Sequence, residues 1–517
     1  MKKVVIIGAG PAGLTAGYYL LKNSKEYEVI ILEKDSQVGG ISKTITYNGN
    51  KMDLGGHRFF TKDKRIFQIW NDILPIQGSG SYDDIKLNNK KKYLKNGPNP
   101  NKEDKVFLIR NRISRIYYCN KFFDYPVNLS FNTIKNLGFI KTIESGFSYL
   151  KSIFIKKEEV NLENFYINRF GKKLYNIFFE GYTEKLWGRS PKYIDSSWGA
   201  QRVKGISLLE VLKNSLCKIF NMKNKSKETS LIEEFYYPKY GPGQMYEEME
   251  KKYISMGGKI LKNYEVVKIN NSKNKIKSIS CICNDKEIKI DGDIFISSMP
   301  IKELVCGMNN VPTNIKDISI NLPYRDFVTI GLVVDKLKLE NKTQIKTLNN
   351  IVPDCWIYVQ STDVKLGRIQ IFNNWSPYLV KDVDNTVSLG LEYFCNENDE
   401  FWNMENEELK KFVISELTQI GVLDNNSNIL NYHVERVKKA YPAYFDSYNE
   451  FDKVKEYLNK FDNLYCVGRN GQHRYNNMDH SMATSIECVN NILNNVKSKE
   501  NIWNVNTEEV YHEKENK

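Results

Sequence analysis

KKVVIIGAGPAGLTAGYYLLKN, residues 2–23, reads as a short apolar strand, a glycine turn and a helix. Gly8, Gly10 and Gly13 stand in G-x-G-x-x-G spacing, and a second apolar strand, VIILEK, ends in Glu33. An acid roughly 20 residues beyond the turn is what a dinucleotide fingerprint asks for. Gly8 permits the tight turn, Gly10 lets the main chain touch a pyrophosphate, and Gly13 lets helix and strand pack closely. The helix amino end supplies aligned N–H groups to the phosphates, and Glu33 accepts the ribose hydroxyls. The spacing therefore predicts an α/β chain that opens on a dinucleotide-binding unit.

The chain has 517 residues, more than one core usually supports, so two or three units are expected. Its 41% hydrophobic and 26% charged residues are ordinary for a globular protein. The formal charge of +13 comes chiefly from lysines scattered along the whole length, while the arginines fall in separate motifs. Nucleic-acid binding needs basic residues clustered on one face with stacking aromatics, so no nucleic-acid partner is expected. Nine cysteines occur without CxxC or paired His/Cys spacing, which points to reduced thiols, no metal and a cytoplasmic location. The start, MKKVVIIGAG, carries a charged end like a signal peptide, but glycines interrupt its apolar run. Nor does any run approach the ~20 apolar residues of a spanning helix. FIKTIESGFSYLKSIFIKK, residues 139–157, is basic and amphipathic. The expectation is a helix whose apolar stripe packs on its own domain; peripheral contact with a membrane surface is the other reading.

Beyond Glu33, KDSQVGGIS offers Gly39 and Gly40 as more bare backbone, and DLGGHRFFT (53–61) sets Gly55 and Gly56 against His57, one of only five histidines. Far downstream, YPKYGPGQMYEEMEKKYISMGGKIL (237–261) gives a turn and an amphipathic helix, followed by a strand around Val266. GDIFISSMP (292–300) and NLYCVGR (463–469) read as two further buried strands.

With its second Gly-Gly just past the acidic strand end, the chain resembles the two-dinucleotide-binding-domain flavoproteins, and the resemblance implies FAD. It implies a Rossmann-like domain of the amine-oxidase type, assembled from residues 1–85, 237–305 and 440–500. A substrate domain with helical and sheet parts would comprise 86–236 and 306–439, its helical portion about 130–220, and 501–517 would form a polar tail. Several motifs, in order, are similar to UDP-galactopyranose mutase. They are NGNKMDLGGHRFFTKDKRIFQIWND, YCNKFFDYPVNLSFNTI, GKKLYNIFFEGYTEKLWGRSPKYIDSSWGAQRVKG, LPYRDF, YPAYFDSYNEF and GRNGQHRYNNMDHSM.

That resemblance implies a redox-neutral exchange of pyranose and furanose rings on a nucleotide-bound sugar, serving bacterial surface-glycan synthesis. By the same resemblance, reduced flavin N5 would attack the anomeric carbon as the diphosphate leaves, NAD(P)H being the expected reductant. Gly55 and Gly56 would lie beside the flavin, with His57 hydrogen-bonding near its reactive edge, a role neutral imidazole suits. Arg202 and Arg325 would hold the departing diphosphate, because guanidinium stays charged and binds phosphate oxygens bidentately. Trp187 would line the uracil end and Tyr182 face the sugar or diphosphate. Arg469 and Tyr475 would meet substrate, while Gly468, Val266 and Asp479 contact the cofactor, Asp479 reading equally as a helix cap. Homodimerisation is left open.

The pattern breaks at Phe60, where the mutases carry a second histidine, at Asn477, and through DCWIYVQSTDVKLGRIQIFNNWSPYLV (354–380). Within that segment Arg368 is a candidate substrate contact, whereas Trp356, Trp375 and Asn373–Asn374 look foreign. Two alternatives therefore stand: an FAD oxidoreductase of the amine oxidase and protoporphyrinogen oxidase type, with an apolar pocket, and a non-catalytic flavin-binding protein with a blocked cavity.

Overall fold

The computed structural model describes residues 1–89, 91–125, 131–196, 198–199 and 234–505. Five parallel strands form its first sheet, in the order Leu464–Cys466, Ile294–Ser297, Lys2–Ile7, Tyr27–Glu33 and Lys259–Lys262. Val4, Val5 and Ile6 are fully buried, as expected of a central parallel strand covered on both faces. Val4 and Ile6 face the helices Pro11–Asn23, Pro242–Ser255 and Met478–Leu493. Val5 and Ile7 face an antiparallel sheet of Glu265–Ser272, Lys275–Cys283 and Lys286–Asp291. This is the doubly covered, Rossmann-like α/β arrangement that the glycine turn and the apolar strand predict.

A seven-stranded sheet builds the second unit. Its order is Ile429–Pro442, Tyr324–Val334, Val387–Cys395, Arg368–Ile371, Trp356–Val359, Ser114–Tyr118 and Lys121–Asp124, with only Trp356–Val359 and Ser114–Tyr118 paired in parallel. Alternation sorts its two faces. Ile369, Ile371, Leu389 and Leu391 pack with Leu409, Val413 and Leu417 of the helix Asn406–Gln419. Arg368, Gln370 and Glu392 turn the other way, toward Gly55 of the first unit.

Three helices, Phe139–Phe154, Leu162–Tyr175 and Gly181–Trp187, cover one end of this sheet. Gly171, at φ +77°, kinks the second of them, and a Cβ there would lie 2.7 Å from the Tyr149 amide nitrogen, so the first two helices touch backbone to backbone. That contact corrects the expectation for residues 139–157. The buried face of Phe139–Phe154 is Ser145, Tyr149 and Ser152, with Ile153 packed beside them, whereas Phe139, Ile140, Ile143, Phe147, Leu150 and Phe154 point outward.

Candidate functional site

Three glycine turns converge at the amino end of Pro11–Asn23. Gly8 has φ +95° and donates its N–H to the Leu32 carbonyl at 2.7 Å. A Cβ on Gly13 would sit 1.8 Å from the Gly8 carbonyl oxygen, so no larger residue fits between turn and helix. Gly39 donates to the Ala9 carbonyl at 2.9 Å, which holds Gly40 against Gly10 with bare backbone on both sides. Gly468, at φ +76°, closes the cradle, since a Cβ there would come within 2.7 Å of the Ala12 Cβ. No side chain caps the helix at Gly10, which leaves its first-turn N–H groups facing this hollow. The Glu33 carboxylate accepts from the Ala9 amide at 2.7 Å and the Asp35 amide at 2.9 Å. Burial raises its pKa against those backbone donors. Tyr264 donates its N–H to the Glu33 carbonyl at 2.9 Å, and this anchors the strand on which Val266 is buried. The uncapped helix end and the bare glycine cradle fit the diphosphate of a dinucleotide. Asp479 lies in the first turn of Met478–Leu493, 3.7 Å from His480 Nδ1.

The chain next forms the hairpin Thr44–Tyr47 and Asn50–Asp53 and turns at Gly55, φ +90°. Asp53 is fully buried and accepts hydrogen bonds from the Tyr237 and Thr44 hydroxyls. Burial pushes its carboxyl up to about 8, with those hydroxyls opposing, so it is protonated at neutral pH. His57 Nδ1 lies 2.9 Å from the Gly55 carbonyl. A carbonyl only accepts, so Nδ1 carries the proton and Nε2 is the acceptor. Burial, and then the nearby Arg469 charge, hold His57 down at about 4, which keeps the ring neutral. The bare face of Gly56 is taken by Trp356, whose Cζ3 would meet a Cβ at 2.1 Å. The Trp356 indole N–H is buried with no hydrogen-bond partner among the described residues, an open donor beside His57.

Arg368 and Glu392 sit directly opposite each other on adjacent antiparallel strands. Both are buried, and Arg368 Nη1 donates to Glu392 Oε2 at 3.0 Å. Arg368 Nε donates to the Tyr182 hydroxyl at 2.9 Å and Nη1 to the Tyr441 hydroxyl at 3.3 Å, while Gln370 donates to Glu392 Oε1 at 3.0 Å. Arg368 also stacks 4.8 Å from the Phe394 ring and 5.2 Å from Trp356. On the other side of Tyr441 is Arg469. Its Nε and Nη2 donate to the Asn476 carbonyl at 3.1 and 2.6 Å and its Nη1 to that of Ala440 at 2.9 Å. Tyr441 stacks on Tyr475 at 5.8 Å, and the Arg469 guanidinium lies 5.0 Å from the Tyr475 ring.

The structure thus brings His57, Tyr182, Arg368, Arg469 and Tyr475 around Tyr441 and Glu392. Arg325 is held elsewhere. Its Nε donates to the Leu186 carbonyl at 3.0 Å and Nη2 to that of Phe394 at 3.2 Å, and it lines a cavity with Lys185, Lys365 and Asp399. Trp187 is buried at right angles to Trp198, 5.4 Å away, and its indole N–H has no partner among the described residues. Arg202 lies outside the described residues. Sequence reasoning assigned no role to Glu392 or Tyr441. The signal for Glu392 was a single acid inside VSLGLEYFC, whose nine residues are all buried. Among the described residues no group of three or more His, Cys, Asp or Glu could hold a metal, and no helix is long and apolar enough to cross a membrane.

Residues 6–73 match the model of an NAD(P)-binding Rossmann-like domain. Across nearly its full length the chain is similar to protoporphyrinogen oxidase 2, chloroplastic/mitochondrial, of Arabidopsis thaliana, at 19% identity over 89% of this chain and 87% of that protein. Among solved structures, reduced UDP-galactopyranose mutase superposes with a TM-score of 0.76 and 21% identity, covering 99% of this chain and 100% of the other. Putrescine oxidase bound to putrescine gives a TM-score of 0.55 at 13% identity, covering 95% and 99%. These likenesses show a fold shared with those proteins, built on a Rossmann-like unit.

Proposed function

We propose that the chain is an FAD-dependent enzyme acting on a nucleoside-diphosphate sugar, with UDP-galactopyranose mutase-like chemistry. The observation that carries the proposal is the buried polar cluster beside His57, in which two guanidiniums, Arg368 and Arg469, flank Tyr441 with one carboxylate, Glu392, between the sheets. An excess of one positive charge in this desolvated cluster favours an anionic ligand, and an amine or a purely apolar substrate would find the wrong environment. The likeness to reduced UDP-galactopyranose mutase supports the same reading. The oxidoreductase reading is favoured instead by the full-length likeness to protoporphyrinogen oxidase.

In the proposed enzyme, residues 1–85, 237–305 and 440–500 form the FAD domain, and 86–236 with 306–439 form the substrate domain. Gly8, Gly10, Gly13, Gly39, Gly40 and Gly468 would hold the FAD diphosphate, with Glu33, Val266 and Asp479 toward its ends and Gly55 and Gly56 beside its ring. Bound FAD, reduced by NAD(P)H, would supply a nucleophilic ring edge with no net oxidation of the sugar. The chain's own part is to orient and to exclude water. Neutral His57, with Nδ1–H on the Gly55 carbonyl, would offer Nε2 as an acceptor toward the bound cofactor. Tyr182 and Tyr441 accept from Arg368, which fixes the positions of both hydroxyls. Trp356 and Trp187 present N–H donors without a partner among the described residues. Arg469 supplies the cation for the leaving diphosphate, together with Arg202 and Arg325 if substrate draws them in. The reaction is placed in the cytoplasm, upstream of surface-glycan assembly.

The test is equilibrium binding to FAD-loaded protein, followed by the flavin's visible spectrum. UDP and UDP-galactose are expected to perturb it with saturable affinity, and Arg469→Ala to weaken that binding. Binding of putrescine or protoporphyrinogen with no response to UDP would transfer the assignment to the oxidoreductases.

A further inference from the structure

The helix Phe139–Phe154 is packed with its large residues outward. At 100° per residue, Phe139, Ile140, Ile143, Phe147, Leu150 and Phe154 fall within an arc of about 100°. All six are 42–83% exposed, and Ile155 and Val160, just beyond the helix, are exposed as well. The inward face carries Ser145 and Ser152 beside Tyr149, with Ile153 packed at its edge. Ser145 and Ser152 satisfy their hydroxyls on the carbonyls of Lys141, at 2.7 Å, and Tyr149, at 2.8 Å. The close backbone approach at Gly171 fixes this orientation, because rotating the apolar arc inward would put phenyl rings where a single Cβ already comes within 2.7 Å of the Tyr149 nitrogen. A contiguous apolar strip of this kind is unusual on a solitary soluble surface and marks an interaction site.

The charges around the strip identify its occupant. Between residues 131 and 160 there are five lysines, at 135, 141, 151, 156 and 157, against three glutamates. Two of those glutamates are neutralised: Glu144 pairs with Lys173 at 2.5 Å and Glu159 with Arg169 at 2.7 Å. Lys151 borders the arc and is exposed, as are Lys156 and Lys157 at its carboxyl end. A second copy of this chain would bring lysines against lysines, whereas an anionic lipid surface meets both the apolar arc and the positive rim.

We propose that this face docks peripherally on an anionic lipid bilayer, the helix lying in the interface plane with Phe139, Phe147 and Phe154 in the boundary between headgroups and acyl chains. The inference is independent of the substrate assigned above. It is tested by co-sedimentation of the full chain with vesicles of phosphatidylcholine alone and of phosphatidylcholine mixed with phosphatidylglycerol. The mixed vesicles are expected to bind at least about tenfold more protein, with the difference shrinking as salt screens the lysines. The double substitution Phe147→Glu and Phe154→Glu alters two exposed side chains and should leave the circular dichroism and the melting curve in place while lowering vesicle binding at least about tenfold. Phe147→Trp should shift its fluorescence to the blue on the mixed vesicles. Failure of the native protein to sediment, or equal sedimentation of the double variant, overturns the proposal. So does a concentration-dependent dimer that the double substitution dissolves while vesicle binding is absent, an outcome that assigns the strip to self-association.

Discussion

Replacing Arg368 with Met strands the Glu392 carboxylate. Both side chains of the pair are at most 5% exposed, and the remaining hydrogen bond to Glu392 is from Gln370 at 3.0 Å. Removing one partner of so buried a pair costs about 3–5 kcal/mol, most of it the penalty of an uncompensated charge. For a cooperative unit of several hundred residues each kcal/mol lowers the melting temperature by about 2 °C, so Arg368→Met should melt roughly 6–10 °C below the native protein. Adding Glu392→Gln removes the stranded charge and should recover at least half of that loss. The pH dependence has a defined sign. Burial holds the Glu392 carboxyl above its ordinary value, with Arg368 and Gln370 opposing, and loss of Arg368 raises it further. The folded variant then keeps a proton that the unfolded chain releases above about pH 4.3, so stability from this group is present in acid and lost as pH rises through the folded value. The deficit of Arg368→Met should therefore be smaller at pH 5 than at pH 8. The assay is thermal melting at fixed FAD concentration, since bound cofactor shifts the midpoint. A single variant within about 2 °C of native, or a double variant that melts no higher than the single, would refute the reasoning.

Gly13→Ala forces a Cβ to 1.8 Å from the Gly8 carbonyl oxygen, so the variant should purify with little flavin and take up added FAD poorly, as measured by visible absorbance. His57 has its folded pKa lowered to about 4, so its contribution is present above the unfolded value near 6.5 and is lost as pH falls through the folded one. The shift corresponds to about 3 kcal/mol. His57→Gln should therefore weaken the fall in melting temperature between pH 6.5 and 4, with part retained because His473 is lowered similarly. Asp53 behaves oppositely: with its folded pKa at about 8, its stability is fully present only below the unfolded value of about 3.9 and is lost as pH rises through the folded one, so Asp53→Asn should flatten melting curves compared at pH 4.5 and pH 8.

The first sheet was legible because its signals are local: an apolar strand, a glycine turn and a helix follow one another within 22 residues. The polar site was legible only in fragments. Tyr182 and Arg368 lie 186 residues apart, and their hydrogen bond depends on how the helix Gly181–Trp187 docks on a distant sheet. Glu392 was missed because its meaning comes from strand register: the same acid one position along would face the helix Asn406–Gln419 instead of Arg368. Periodicity revealed the apolar stripe of Phe139–Phe154 but not its direction, which Gly171 decides from the neighbouring helix.

The central claim is tested most directly by reducing FAD-loaded protein with dithionite under nitrogen and adding UDP-galactopyranose and UDP-galactofuranose in separate reactions. The account predicts interconversion of the two sugars with no net consumption of reductant, abolished when the flavin is reoxidised. Unchanged sugars, with stoichiometric oxidation of an amine or porphyrinogen by the same preparation, would contradict it.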